Sequence, residues 1–297
     1  MEDYINSIVT DSIYTTGNRI YHAMYAIGFI LMLLFNVLIY YKIFNLSRLR
    51  AFVYSLVTFA YGYLGAACIG VLYNAIAALK DLDGNIRMDM IGAILFQLLW
   101  IPTVYAIKYF KKGKAKPNWN IDSKKQNIET ISFRDTFDFI VPGAFIVLAC
   151  IKFGCFFSGC CFGVECDWGV FSPKIYTTVF PIQIFEFATI CLILIAMYFI
   201  KQTNFYRRGM AGPLTVALYI FARFCWEFLR YYEPDMRHFF IGLSLWQIFC
   251  IIIFVVVVVW IIVLYKTQPS EPMPKNYLFA KNATRTKKSK VKSIWIQ

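Results

Sequence analysis

Runs of about 20 predominantly apolar residues, the length that crosses a hydrocarbon core, recur from one end of this sequence to the other. They fall at 20–41, 52–78, 88–107, 137–157, 178–200, 210–230 and 240–265. In a chain of 297 residues, these stretches leave little room for a separate soluble domain. Composition agrees, with 59% hydrophobic and only 16% charged residues. Soluble domains carry about 25% charged residues. The expected fold is an all-α integral membrane protein of about seven transmembrane helices. A single polytopic domain is expected over 1–268, followed by a basic, disordered tail over 269–297.

The charges are distributed unevenly. Lys42, Arg48 and Arg50 follow the first stretch, a lysine run from Lys108 to Lys125 follows the third, and Lys201, Arg207 and Arg208 follow the fifth. The tail adds Lys275 to Lys292, whereas the loops after the second, fourth and sixth stretches mix signs. The positive-inside rule then places the N-terminus outside and the C-terminus in the cytoplasm. The opening "MEDYINSIVTDSIY" lacks the basic n-region and cleavage site of a secretory signal and reads as a short outer segment. The basic tail fits topology and attraction to anionic lipids. No nucleic-acid-binding fold or aromatic platform accompanies it, so no nucleic-acid partner is expected.

Ionisable side chains within membrane spans cost about 2.5–3.5 kcal/mol each on insertion scales, which makes them functional candidates. Arg223, Glu227 and Arg230 are spaced i, i+4 and i+7, on one helical face. Gln183 and Glu186 open the fifth stretch, Lys152 lies near the end of the fourth, and Ser244 and Gln247 start the seventh. Together with Tyr21, all of these fall at or above the outer half of the bilayer under the orientation above. The ionisable members are mostly cationic, which suits a phosphate that arginine can grip bidentately. A buried Arg–Glu network that merely ties helices together is the structural alternative.

The segment "KFGCFFSGCCFG" ends the fourth stretch. Gly154, Gly159 and Gly163 allow close backbone approach and a bend around a ligand. Cys155, Cys160, Cys161 and Cys166 have the chemistry to ligate zinc, but no CxxC pair and no nearby histidine accompanies them. No metal is expected there. A disulfide involving Cys166 is chemically reasonable, and the other cysteines read as small core residues.

These motifs resemble the prolipoprotein diacylglyceryl transferase family. The resemblance covers Ile20 to Val258 and is most specific from Asp138 to Gln247. It is carried by "DFIVP" (Asp138 to Pro142), the glycine turn from Lys152 to Gly163, and Pro181, Gln183 and Glu186. Arg223, Glu227, Phe228 and Arg230 continue it, then Gly242, Ser244 and Gln247, with Tyr21 on the first helix. Two departures stand out. Lys152 replaces the family's arginine in the glycine turn, and Gly65-Ala66-Ala67 stands where the family has His-Gly-Gly.

The resemblance implies transfer of diacylglycerol from phosphatidylglycerol to the lipobox cysteine thiol of a prolipoprotein, releasing glycerol phosphate. It implies a prokaryotic inner-membrane location, lipid and prolipoprotein partners, a monomer, and no cofactor. Lys152, Arg223 and Glu227 become the candidate catalytic residues. Tyr21, Asp138, Gly154, Gly159, Gly163, Gln183, Glu186, Arg230, Ser244 and Gln247 become the candidate substrate-binding residues. His22 is a possible substitute base. A non-catalytic phospholipid-binding protein of the same fold, or a receptor or transporter, is the alternative.

Overall fold

A computed structural model describes residues 2–43, 46–79, 133–172, 175–231, 242–270 and 272–273. The expected span at 88–107 and nearly all of the basic tail lie outside the described residues. The helices are α1 (Glu2–Lys42), α2 (Arg48–Leu79), α3 (Phe133–Phe157), α4 (Ile182–Ile200), α5 (Ala211–Glu227) and α6 (Leu245–Thr267). Four contain segments long and apolar enough to cross a membrane: Thr15–Lys42, Asp138–Phe157, Ile182–Ile200 and Trp246–Thr267.

The protein is mostly helical, but one expectation needs correction. Helix α1 begins at Glu2, ahead of its membrane-length apolar segment, which starts at Thr15. A two-stranded antiparallel hairpin, β1 (Glu165–Ser172) with β2 (Thr177–Val179), stands between α3 and α4. The sequence expected helix from residue 178, but Val179 is paired with β1, and the helix starts only after Pro181. Proline without an N–H suits that start.

Helix α3 is the hub. Of its apolar window 78% is buried, against 17% for α6, whose valines and isoleucines mostly face outward. It packs against α1, α4 and α5. Small residues let α1 approach closely, as at membrane helix crossings generally. A Cβ on Gly17 would lie 2.2 Å from the Phe157 carbonyl oxygen, and one on Gly28 would lie 2.9 Å from Cys150 Cβ. The core around α3 includes Val141, Phe145, Leu148, Ala149 and Ile190.

The lower end of α3 shows why "DFIVP" matters. Pro142 sits inside the helix. Lacking an N–H, it leaves the carbonyl four residues earlier, that of Asp138, without its helical donor. The Lys201 ammonium donates to that carbonyl and lies 4.2 Å from the centre of the Phe139 ring. The Asp138 carboxylate accepts from the Tyr206 hydroxyl, from the Gly209 N–H at 2.7 Å and from the Ala211 N–H at 2.9 Å. Ala211 is the first residue of α5, whose own N-cap residue, Met210, makes no side-chain cap. Asp138 therefore caps α5 from another helix, where a negative charge suits the helix dipole.

Candidate functional site

The sequence groups Asp138 with the substrate-binding residues, and the structure separates it from them. It lies 14 residues before Lys152 on one helix, roughly 21 Å away at 1.5 Å per residue. Its hydrogen bonds are spent on the start of α5. It is a positioning residue for the helix that carries Arg223 and Glu227.

At the other end of α3 the ionisable candidates converge. Glu186, on the first turns of α4 and 1% exposed, is the centre. Its Oε2 lies 2.6 Å from Lys152 Nζ, and its Oε1 accepts from Arg223 and, at 2.8 Å, from Arg230 Nη2. Glu227 Oε2 lies 2.9 Å from Arg223 Nη2 and 3.5 Å from Arg230 Nε. Three cations thus share two carboxylates, leaving one net positive charge in a largely buried cluster. Arg223 bridges both carboxylates with separate nitrogens, which a guanidinium can do and an ammonium cannot do with the same geometry. Arg230 lies just beyond the end of α5, yet it still reaches both carboxylates.

The remaining candidates surround this cluster. Ser244 and Gln247 form a capping box at the start of α6, with Gln247 N donating to Ser244 Oγ at 3.2 Å and Ser244 N donating to Gln247 Oε1 at 2.8 Å. Ser244 Oγ also donates to Glu227 Oε1 at 3.4 Å, so the cap is joined to the charged cluster. Gln183 donates to the Cys160 carbonyl at 2.7 Å. Among the described residues, Gln183 Oε1 and Gln247 Nε2 are buried polar atoms with no hydrogen-bond partner. Such atoms cost about 1–3 kcal/mol when nothing satisfies them, so they favour a ligand that does.

The glycine turn follows α3. Gly159 has φ +62° and Cys161 has φ +57°, two left-handed residues that fold the chain back over the helix end. Gly163 then passes between two backbones. A Cβ there would lie 2.7 Å from the Leu229 oxygen and 2.8 Å from the Phe180 oxygen. Its N–H donates to Phe180 O at 2.9 Å, and Val164 N donates to Leu229 O at 2.9 Å. Gly163 pairs directly with Arg230 as an isolated bridge, which fixes that arginine against the turn. An open cleft beside the turn is lined by Phe156, Gly159, Phe162, Phe171, Pro181 and Gln183.

Tyr21 on α1 packs against the last turns of α3, where a Cβ on Gly154 would lie 3.2 Å from its Cα. His22 is exposed, its ring 5.5 Å from that of Tyr21. Sequence reasoning missed Tyr219. It lies one turn before Arg223 and feels the charges of Lys152, Arg223, Glu186 and Arg230. The i, i+4 relation to Arg223 is the signal that points to it.

Among the described groups outside the spanning segments, Cys161 and Lys201 are shifted downward. Hydrogen bonds from the Cys155 and Cys160 thiols hold the Cys161 thiol below its ordinary range, with Lys152 and Arg230 adding positive potential. Burial pushes the Lys201 ammonium down to about 8, while Asp138 pulls it upward. All nine cysteines are free, Cys166 included.

Residues 119–263 match the family model described as prolipoprotein diacylglyceryl transferase. That segment contains all of the converging residues except Tyr21. No curated protein matches the chain.

Proposed function

We propose that this chain, which over residues 119–263 belongs to the prolipoprotein diacylglyceryl transferase family, moves the diacylglyceryl group of phosphatidylglycerol to a lipobox cysteine thiol in a prokaryotic inner membrane. The observation that carries this reading is the surplus cation. Lys152, Arg223 and Arg230 outnumber Glu186 and Glu227 within one buried cluster, and an anionic phosphodiester supplies the missing negative charge.

In this reading Lys152 and Arg223 hold the phosphate, and Arg230 guards headgroup entry beside the glycine turn. Glu186 and Glu227 keep the cations oriented before substrate arrives. That preorganisation stabilises charge developing on the leaving phosphate, an effect commonly worth about 10²–10³ in rate per donor. Tyr21 receives the glycerol hydroxyls. The acceptor sulfur attacks the glyceryl carbon, the carbon–oxygen bond to phosphate breaks, and glycerol phosphate leaves with the bonding electron pair. The acceptor must react as thiolate, because the thiol itself is a weak nucleophile.

The test is direct. Purified protein in phosphatidylglycerol vesicles is incubated with a lipobox peptide, and the diacylglyceryl thioether is measured by mass spectrometry. Product is expected, and Arg223→Ala is expected to lose about 100-fold or more of it. If Arg223→Ala turns over normally, the site assignment is wrong. Absence of product from wild type rejects the reaction. Phosphatidylglycerol binding without turnover would favour a non-catalytic lipid-binding protein, a reading that the missing family histidine motivates.

A further inference from the structure

Cys155, Cys160 and Cys161 bring their sulfurs together at the end of α3, every pair within 4.8 Å. A tetrahedral zinc-type ion with metal–sulfur bonds of about 2.3 Å sets its ligands about 3.8 Å apart. The trio therefore closes on such an ion with side-chain shifts of about 1 Å or less. The C-x4-C-C spacing does not produce this by itself. The left-handed turns at Gly159 and Cys161 bring the later two cysteines back over the first.

The trio is supported by its surroundings. Cys160 N donates to Cys155 O at 3.2 Å, Ser158 Oγ donates to Cys160 Sγ at 3.2 Å, and Gln183 fixes the Cys160 carbonyl. Cys155 is buried, Cys160 half-buried and Cys161 exposed, so the group opens toward the surface on one side. Among the described residues no fourth cysteine, histidine or carboxylate joins it. Zinc held by three protein ligands keeps a fourth position for water or substrate, whereas structural zinc is closed by four.

A divalent ion with three thiolates carries one net negative charge, and it would lie beside a cluster whose cations, Lys152, Arg223 and Arg230, outnumber its carboxylates. That surplus is the one the phosphodiester meets in the transferase reading, so it does not by itself argue for the metal. Lys152 lies three residues before Cys155, on the same face of α3. Both carboxylates of that cluster are held by cations and make poor bases for a thiol.

We propose that Cys155, Cys160 and Cys161 hold a divalent thiophilic cation of the zinc class, whose open position binds the acceptor cysteine as its thiolate. The metal site stands on the three sulfurs alone, and the role of its open position rests on the transferase reading above. Coordination deprotonates a thiol outright. The proton passes to water as sulfur binds. Sulfur then donates an electron pair to the glyceryl carbon while the carbon–oxygen bond breaks, and the departing phosphate monoester is free to take up a proton. No electron leaves the system.

The experiment uses full-length protein in detergent with its cysteines kept reduced, loaded with Co(II) and read by sulfur-to-cobalt charge-transfer absorption. About one ion per chain is expected, with intensity falling by about a third in Cys160→Ser and in Cys161→Ser, and with zinc displacing cobalt. A lipobox peptide added to the loaded protein should shift the cobalt ligand-field bands, and the same peptide with serine for cysteine should not. If wild type, folded by circular dichroism, gives no charge-transfer band, the metal site is refuted. A band that ignores the thiol peptide refutes the open position. Neither readout needs lipid turnover. Cobalt binding with a peptide response but no thioether would preserve this site and reject the transferase.

Discussion

Lys201 donates to the main-chain carbonyl of Asp138, the one carbonyl that Pro142 deprives of its helical partner. A lysine from beyond the end of α4 thus completes a hydrogen bond that α3 cannot make for itself. Lys201→Met should destabilise the protein by about 1–3 kcal/mol, the cost of an unsatisfied buried acceptor. Pro142→Ala restores the local N–H, so the same lysine change should cost less in that background. A double-mutant cycle from chemical unfolding in detergent measures the coupling. Equal costs in both backgrounds would reject this account.

The same lysine makes stability depend on pH. Its ammonium titrates near 8 in the folded chain, against about 10.4 for an ordinary lysine. Between those values the folded chain binds fewer protons than the unfolded one, so the Lys201 contribution grows as pH rises through the window. It is lost as pH falls through 8. The slope reaches at most about 1.4 kcal/mol per pH unit, and Lys201→Met should flatten it in unfolding curves taken across that range.

Glu186 pairs with three cations and Glu227 with two. Glu186→Gln should therefore cost about 3–5 kcal/mol, the usual penalty for stranding buried charge. Glu227→Gln should cost less. Thermal unfolding of the two variants in one detergent checks the order, and a reversed order would mean that Glu186 is not the centre of the cluster.

Gly163 and Gly159 should fail differently. Gly163→Ala drives a Cβ into two backbone oxygens and should cost about 1–3 kcal/mol through overpacking, with loss of thioether product as Arg230 shifts. Gly159 meets nothing within 4 Å, so its penalty comes from φ +62° alone. Asparagine, which tolerates that region, should restore most of the stability at 159 and none at 163. Unfolding midpoints of the four variants separate clash from backbone strain.

The charged cluster was legible because its signal is local and unusual. Arg223, Glu227 and Arg230 declare a common face by spacing, and the shared depth of Lys152 and Glu186 follows from counting along apolar stretches. The bonds of Asp138 to the start of α5 were not legible, because a cap supplied by a different helix leaves no spacing pattern. Ser244 and Gln247 carried a readable capping-box signature, S-x-x-Q before an apolar run, that points first to the helix start. The hairpin was hidden by apolar residues continuing into α4. The cysteine trio depends on two left-handed residues, one of them not glycine, which spacing alone does not reveal.

The hairpin sets a waterline. Trp168 and Phe171 on β1 and Tyr176 in the turn before β2 are 68%, 59% and 72% exposed. Aromatic rings of this kind settle at the boundary between acyl chains and water. Because β1 continues directly from Gly163 and Val164, a hairpin held at that boundary would hold the adjoining loop with it.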